Sequence, residues 1–327
     1  LRPFSIILFV IVTVVGFIPM ADGELFGGMF RTNGLLCLMK NILNVGVLIV
    51  LIQSHQWLGN EENKIKVSEF FLLILSTLIG MDFMISSGDF LMFYIGLELA
   101  TIPIASLAAF ERTKSKSAEA GIKLILSSAL SSGILLYGVS MIYGTTGSIY
   151  FNEVATAFIG NNLQTLALIF FFAGMAFKIS IVPFHLWTAD VYEGAPINIT
   201  SYLSVISKGA AVFIFIIVLF TVFNSVIDTW QNVLYITSIL TMTIGNFFAI
   251  RQKNLKRFLA FSSIAQAGFI LLGIIGGNKL GMTSVIYFIL VYIFSNLGAF
   301  GVVSAIANKT GKENLDNYNG FYLTNPK

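Results

Sequence analysis

Long apolar runs, each about as long as a bilayer is thick, organise this sequence. Because a helix rises about 1.5 Å per residue, roughly 20 apolar residues cross the roughly 30 Å hydrocarbon layer. Ten such runs can be drawn through the 327 residues, at about 3–20, 31–53, 69–86, 89–110, 117–144, 163–186, 196–223, 230–250, 256–276 and 281–307. A chain with this pattern has to place most of its residues in lipid.

The composition agrees with a membrane location. The chain is 56% hydrophobic and only 11% charged, and its mean hydropathy is +0.86. Soluble domains carry roughly 25% charged residues. The runs are continuously apolar, whereas strands of a membrane barrel alternate lipid-facing and lumen-facing residues. We therefore predict an all-α, polytopic transmembrane helix bundle of about ten helices.

Basic residues outside the runs fall mainly on one face of this predicted bundle. The other face has little besides Arg31 and Lys279. The first face holds Arg2, Lys64, Lys66, Arg112, Lys114, Lys116, Arg251, Lys253, Lys256, Arg257, Lys309 and Lys312. An excess of bases marks cytoplasmic loops, so we predict that this face is cytoplasmic. The net charge is only +3 and is spread as short-loop topology signals, which gives no reason to expect nucleic acid as a partner.

Four ionisable side chains lie inside separate apolar runs: Glu98, Lys123, Lys178 and Lys208. A charge at the centre of a membrane helix costs at least about 2.5 to 3.5 kcal/mol. From the helical rise, the four lie roughly 9 to 18 Å below the membrane surface. Such expensive residues need a compensating role, and an ion or proton path is the default interpretation.

Three of these residues have surroundings that suit proton transfer. Glu98 has no basic residue within one turn, so its partner has to come from another helix. Lys178 precedes Pro183 by five residues, and a proline inside a span predicts a kinked or broken helix of the kind found at transporter sites. Lys208 is flanked by small residues, which leave room for water or another helix. The alternatives are fixed ion pairs between helices and, for Lys178, an ammonium group that reaches the interface.

Several further residues are weaker candidates. Lys123 follows Glu119 by four residues, the favourable order for a local ion pair, so it is either a relay member or that pair's base. His185 follows the predicted break and could titrate near neutral pH. Lys40 and Asp82 also lie within runs and could be peripheral members of the path.

The sequence predicts no metal or cofactor chemistry in this chain. Only two histidines occur, at His185 and the distant loop position His55, and one histidine cannot build a metal site. There is no dinucleotide fingerprint, P-loop, CxxC pair or nucleophile elbow in a supporting context. We therefore expect neither redox nor nucleotide chemistry here.

Motifs along nearly the whole chain resemble one family. They occupy residues 96–99, 118–123, 177–188, 190–196, 207–208, 254–268 and 296–300. In these segments the chain resembles the proton-translocating, antiporter-like subunits of respiratory complex I, the NADH:quinone oxidoreductase. Leu97 before the glutamate, and the form Asp-Val-Tyr-Glu-Gly-Ala-Pro at 190–196, favour the subunit called N in bacteria over its larger relatives and over Mrp-type cation/proton antiporter subunits.

The resemblance implies an architecture of about fourteen helices in two inverted five-helix repeats with a broken helix. It divides this chain into N-terminal helices at 1–68, a first repeat at 69–223 and an incomplete second repeat at 230–327. By the same comparison, we expect the family's first helix to precede Leu1 and its last helices to follow Lys327.

The resemblance also implies a function. Quinone reduction elsewhere would drive proton transfer along Glu98, Lys123, Lys178 and Lys208, with His185 and Glu119 as additional candidates. Flavin, iron–sulfur clusters and quinone would belong to partner subunits in the membrane arm and beyond. The chain would then be a multi-pass subunit of a translocase in the inner membrane of a bacterium, with the lipid bilayer, protons and other complex I subunits as partners. The alternatives are an Mrp-type antiporter subunit and a passive membrane scaffold.

Overall fold

The computed structural model describes residues 2–320 and 323, and it is built mainly from helices. The helices are α1 (Arg2–Gly16), α2 (Gly34–Trp57), α3 (Glu61–Lys64), α4 (Val67–Ile85), α5 (Phe90–Ala108), α6 (Ser115–Thr146), α7 (Phe151–Ala157), α8 (Asn162–Ile179), α9 (Leu186–Gly194), α10 (Ile197–Tyr202), α11 (Lys208–Thr221), α12 (Ile227–Ile250), α13 (Leu255–Ile275) and α14 (Lys279–Thr310). Strands β1 (Gly23–Leu25) and β2 (Phe30–Thr32) form an antiparallel hairpin between α1 and α2. The end of the predicted segment 230–327, at residues 321, 322 and 324–327, lies outside the described residues, as does the side chain of Lys309.

Nine of the predicted membrane spans are confirmed as helices of sufficient length and apolarity in the described part of the chain. The tenth, predicted at 3–20, is a shorter helix that ends at Gly16. Glycine weakens a helix, and the residue before Pro19 is biased away from helical backbone, so the helix stops early. The run predicted at 3–20 is therefore a helix, but it ends at Gly16 and not at the predicted boundary.

The run predicted at 163–186 is not one continuous helix. Helix α8 ends at Ile179, and Ser180 has a left-handed backbone with φ 68°. Neighbours satisfy polar groups at this break: the Val182 N–H donates to Thr241 Oγ1 at 3.0 Å, and Trp187 Nε1 donates to the Phe177 carbonyl at 3.0 Å. The break that Pro183 predicted is thus present and held by protein partners, as the membrane interior requires.

The span that follows is also irregular, and it is the most buried of the nine. Between α10 and α11 the backbone of Leu203–Ser207 forms a π-helical turn, which ends directly before Lys208. Of the most apolar window in the span Ile197–Thr221, 89% is buried within the chain itself. The helix that carries Lys208 therefore occupies the centre of the bundle, and π turns are common at functional sites.

Helices α4 and α5 contact each other along a glycine seam. A Cβ atom on Gly96 would lie 2.5 Å from the Met84 backbone nitrogen and 2.7 Å from the Gly80 carbonyl oxygen. Only glycine allows this approach between the two backbones. The contact fixes α5, and with it Glu98, against α4.

Substituting Gly96→Ala should therefore destabilise the chain by about 1 to 3 kcal/mol, because the added methyl group forces the two helices apart. Thermal denaturation of the purified, detergent-solubilised protein measures this. The matched control is Gly133→Ala in α6, where an added Cβ meets no atom within 4 Å. Equal stability of the two variants would contradict the claim that the close contact between α4 and α5 requires glycine at position 96.

Candidate functional site

Lys178 lies in the last turn of α8, directly before the break. Its Nζ donates a hydrogen bond of 2.6 Å to Thr101 Oγ1 on α5. Thr101 in turn donates to the Leu97 carbonyl at 2.5 Å. The Lys178 ammonium group thus bonds to a neutral hydroxyl, whose own proton is donated to the Leu97 carbonyl.

Glu98 lies one turn before Thr101 on the same face of α5, where residues three apart are neighbours. Its charge acts on Lys178 through space, yet the two groups form no ion pair within 4 Å in the described structure. Glu98 Oε1 is buried and has no hydrogen-bond partner among the described residues. The carboxylate and the ammonium group are therefore electrostatically coupled but not locked together.

A serine face on α6 adjoins the Lys178 side of this site. Ser128, Ser131 and Ser132 line a cavity of about 10 Å³ together with Thr101 and Lys178. This volume is close to the minimum that holds one water molecule. The serines at helical spacing inside an apolar run were the signal that sequence reasoning missed.

Lys208 is almost fully buried, with 2% of its surface exposed. Its Nζ donates to Ser263 Oγ at 2.6 Å and to the Ser263 carbonyl at 3.1 Å, both on α13. Within the described range it contacts no carboxylate. Like Lys178, it is held by neutral acceptors on another helix.

Lys123 and Glu119 lie together in a different place, an ion cluster that joins α6, α9 and α13. The cluster consists of three bases and three acids: Lys116, Lys123, Arg257, Glu119, Asp190 and Glu193. Lys123 Nζ lies 2.8 Å from Glu119 and 2.8 Å from Asp190, and its side chain is 42% exposed. The structure therefore brings Lys123 together with Glu119 and not with Glu98, Lys178 or Lys208.

Two bases predicted as loop anchors have specific partners instead. Arg257 Nη1 lies 2.7 Å from Asp190 and 3.1 Å from Glu193. Lys256 is 5% exposed, and its Nζ lies 3.2 Å from Glu313 Oε2. Their assignment as topology signals alone is incomplete. The sequence shows that these bases lie near a loop, but it does not show whether they are solvated or paired with a carboxylate from another helix.

The remaining candidates occupy separate positions. His185 is 8% exposed at the break, and its Nδ1 has no hydrogen-bond partner in the part of the chain described. Lys40 Nζ donates to Ser86 Oγ at 2.8 Å, and its charge acts on Asp82. Lys40 and Asp82, which the sequence left unmatched, are thus neighbours at the opposite end of α4 from the ion cluster.

The carboxylates of Asp190 and Glu193 remain charged at neutral pH. Burial raises the pKa of Asp190, but hydrogen bonds from Lys123 and Arg257 outweigh it and place the pKa below its ordinary value. The pKa of Glu193 is likewise lowered, because Lys116 and Arg257 outweigh the effect of burial. A carboxylate with a lowered folded-state pKa stabilises the fold above its ordinary pKa, and this stabilisation is lost as the pH falls through the lowered value.

Substituting Asp190→Asn should therefore lower the thermal denaturation midpoint at pH 7, since it removes an acid shared by Lys123 and Arg257. The difference from the unmodified protein should begin to shrink below roughly pH 4, where the carboxyl of the unfolded chain starts to be protonated, and should vanish once the pH is below the lowered folded-state pKa. Asp228→Asn is the control, because Asp228 is exposed and forms no ion pair with described residues. A pH-independent loss would show that the Asp190 charge is not responsible.

Comparison with known proteins places the chain in a family. Residues 87–327 match the family model described as the transmembrane part of NADH:quinone oxidoreductase and the Mrp antiporter. The NADH-quinone oxidoreductase subunit N of Phocaeicola vulgatus is 52% identical over 328 residues, covering 100% of this chain and 69% of the relative. The protein of the same name from Azobacteroides pseudotrichonymphae is 50% identical over 325 residues, covering 98% of this chain and 68% of the relative.

A solved structure agrees. A chain in respiratory complex I from Thermus thermophilus with bound aureothin has a TM-score of 0.76 and 26% identity, over 99% of this chain and 69% of that one. The fold and its buried charges define a polytopic helix bundle of the antiporter-like class. The chain belongs to the NADH:quinone oxidoreductase/Mrp antiporter transmembrane family, and the two relatives above are both N subunits of NADH-quinone oxidoreductase.

Proposed function

We propose that this chain translocates protons as a membrane subunit of an NADH:quinone oxidoreductase, with Glu98, Lys178 and Lys208 exchanging the protons. One observation carries the proposal: Lys178, at a helix break, bonds to neutral Thr101, while Glu98 lies one turn from Thr101 and forms no ion pair with Lys178 among the described residues. A permanent structural ion pair would close the gap between the two charges. An unlocked pair can change its protonation.

The electrostatic interaction between Glu98 and Lys178 is comparable to the free energy needed to move a proton across the membrane. Two unit charges roughly 4 to 8 Å apart interact by about 2 to 4 kcal/mol at an effective dielectric of 20. Moving one proton against 100 mV takes about 2.3 kcal/mol. When Glu98 gains a proton, Lys178 loses an attraction of this order and binds its own proton less tightly, so the two sites fill and empty in alternation.

Lys208 is the next proton-binding residue in this proposal. It sits beside the π turn, and Lys178 sits beside the break, so each lysine adjoins backbone that is not locked into regular α-helix. Irregular backbone of this kind lets a helix segment shift without breaking a complete hydrogen-bond ladder. Small shifts there would change which neutral group each ammonium contacts.

The chain's setting is part of the same proposal. Other membrane-arm subunits would be its partners, and quinone reduction, with flavin and iron–sulfur clusters, would take place outside this chain. The basic loops would face the cytoplasm of a bacterium whose inner membrane holds the complex. The segments 1–68, 69–223 and 230–327 would be N-terminal helices, a first repeat and part of a second.

Substituting Lys178→Met in the whole complex should reduce proton pumping by more than about tenfold, because it removes a group that binds and releases the proton. Pumping is measured in sealed vesicles as protons moved per electron, and native gels measure assembly. Lys279→Met, an exposed lysine at the start of α14, is the control and should pump normally.

An unchanged proton-to-electron ratio in the assembled Lys178→Met complex would remove Lys178 from the path. The same vesicles test for cation antiport, since a requirement for sodium would point to antiporter-type transport. A loss of assembly with an unchanged ratio would fit the passive scaffold.

A further inference from the structure

A polar pocket opens at the predicted cytoplasmic face, where the loops before α3, α6 and α10 and the first turn of α13 meet the end of α14. Its volume is about 310 Å³. Its charged lining consists of Glu111, Glu193, Glu313, Lys114, Lys116 and Lys256. The inner wall is uncharged and includes Asn198 of α10 and Ser304 and Asn308 of α14.

This inner wall begins a seam of polar side chains between α10 and α14. Ser304 Oγ donates to Asn198 Oδ1 at 3.1 Å, and Asn308 Nδ2 donates to Ser304 Oγ at 3.4 Å. Asn198 and Ser304 are 3% and 5% exposed. Buried amides and hydroxyls between two apolar membrane helices are costly unless they are hydrogen-bonded, which these are.

The deep end of the seam lies beside Lys208. Asn296 Nδ2 donates to Tyr292 Oη at 2.8 Å and to Ser204 Oγ at 3.3 Å. Tyr292 Oη donates to the Ser204 carbonyl, in the π turn, at 3.4 Å. The Tyr292 hydroxyl also interacts with the side chain of Ser263, whose oxygens accept both hydrogen bonds from Lys208.

A second hydroxyl converges on the same serine. Tyr192, fully buried at 0% exposure, interacts with Ser263, yet its hydroxyl has no hydrogen-bond partner within 3.5 Å among the described residues. Two tyrosine hydroxyls thus lie near Ser263, the residue that accepts both hydrogen bonds from the Lys208 ammonium.

The two ends of the seam are two helical turns apart. Asn296 and Ser304 lie eight residues apart on α14, which corresponds to about 12 Å. Ser201 lies between them on α10, 1% exposed, and donates to the Asn198 carbonyl at 2.7 Å. Its hydroxyl oxygen can still accept a hydrogen bond, so Ser201 offers a further proton-accepting group between the two ends of the seam.

We propose that Tyr292 relays protons from this pocket to Lys208, and that Asn296 positions the Tyr292 hydroxyl. This inference rests on the proposed proton-transfer role of Lys208. A hydroxyl both donates and accepts, so Tyr292 gives its proton to the Ser263 oxygen while Ser263 gives its own hydroxyl proton to the neutral Lys208 amine. The proton that enters from the pocket then restores the Tyr292 hydroxyl. The net change is one proton fewer in the pocket and one neutral Lys208 amine converted to ammonium. Asn296 orients the Tyr292 hydroxyl and does not itself transfer a proton.

The test uses the full-length subunit in the whole complex, in sealed vesicles. Tyr292→Phe and Asn296→Leu should slow pumping by about tenfold or more. The alkaline limb of the rate–pH profile should move about one unit toward lower pH, because tenfold more protons offset tenfold slower delivery. Tyr287→Phe, on the same helix but 67% exposed, is the matched control and should keep the normal profile.

Lys208→Met, measured in parallel, separates the two levels of the argument. If Lys208→Met stops pumping while Tyr292→Phe and Asn296→Leu keep the normal rate and pH profile, the relay is overturned and the proposed function stands. If Lys208→Met pumps normally, the role of Lys208 itself fails. Should Asn296→Leu not assemble, Tyr292→Phe decides alone, since it removes a single oxygen atom.

Discussion

The central constraint on this structure is that a buried lysine ammonium group needs hydrogen-bond partners but does not form an ion pair with the nearby carboxylate. Lys178 of α8 bonds to the Thr101 hydroxyl of α5, although the Glu98 carboxylate lies on α5 one turn from Thr101. An ammonium group among apolar helices is expensive, and a neutral partner offsets only part of that expense. The glycine seam of α4 and α5, the broken end of α8 and the serines of α6 together maintain this arrangement.

The chain thus contains two kinds of charged group. In the ion cluster, Asp190 and Glu193 each contact two bases, and Lys123 contacts two acids. Such groups cross-link helices, and their charges are fixed at neutral pH. Lys178 and Lys208, in contrast, have neutral partners, so a nearby change of charge or backbone can alter their hold on a proton. We propose a structural role for the first kind and proton transfer for the second.

Much of the fold could be predicted from the sequence, because length and apolarity decide where a helix crosses a membrane. Pro183 also predicted the break after Lys178, since proline removes a backbone donor and clashes with the preceding turn. The π turn at Leu203–Ser207 has no comparable signal, because none of its residues prevents regular helix. The early end of α1 was encoded in Gly16 and Pro19, which the apolar run concealed.

The site was less predictable than the fold. Buried charge identified Glu98, Lys178 and Lys208, but their partners come from other helices: Thr101 is 77 residues from Lys178, and Ser263 is 55 residues from Lys208. Spacing along one helix cannot reveal such pairs. Lys123 shows the same limit, because the sequence indicated only its neighbour Glu119, whereas the structure adds Asp190 of α9, 67 residues away along the chain.

The central claim is that Lys178 and Lys208 bind and release protons instead of serving as fixed charges. Replacing each by arginine tests it most directly, because a guanidinium group keeps the positive charge but does not lose its proton in a protein. The measurement is the proton-to-electron ratio of the assembled complex in sealed vesicles. Our account predicts a lowered ratio for both Lys178→Arg and Lys208→Arg. A normal ratio in both variants would contradict it, since fixed positive charge would then be sufficient.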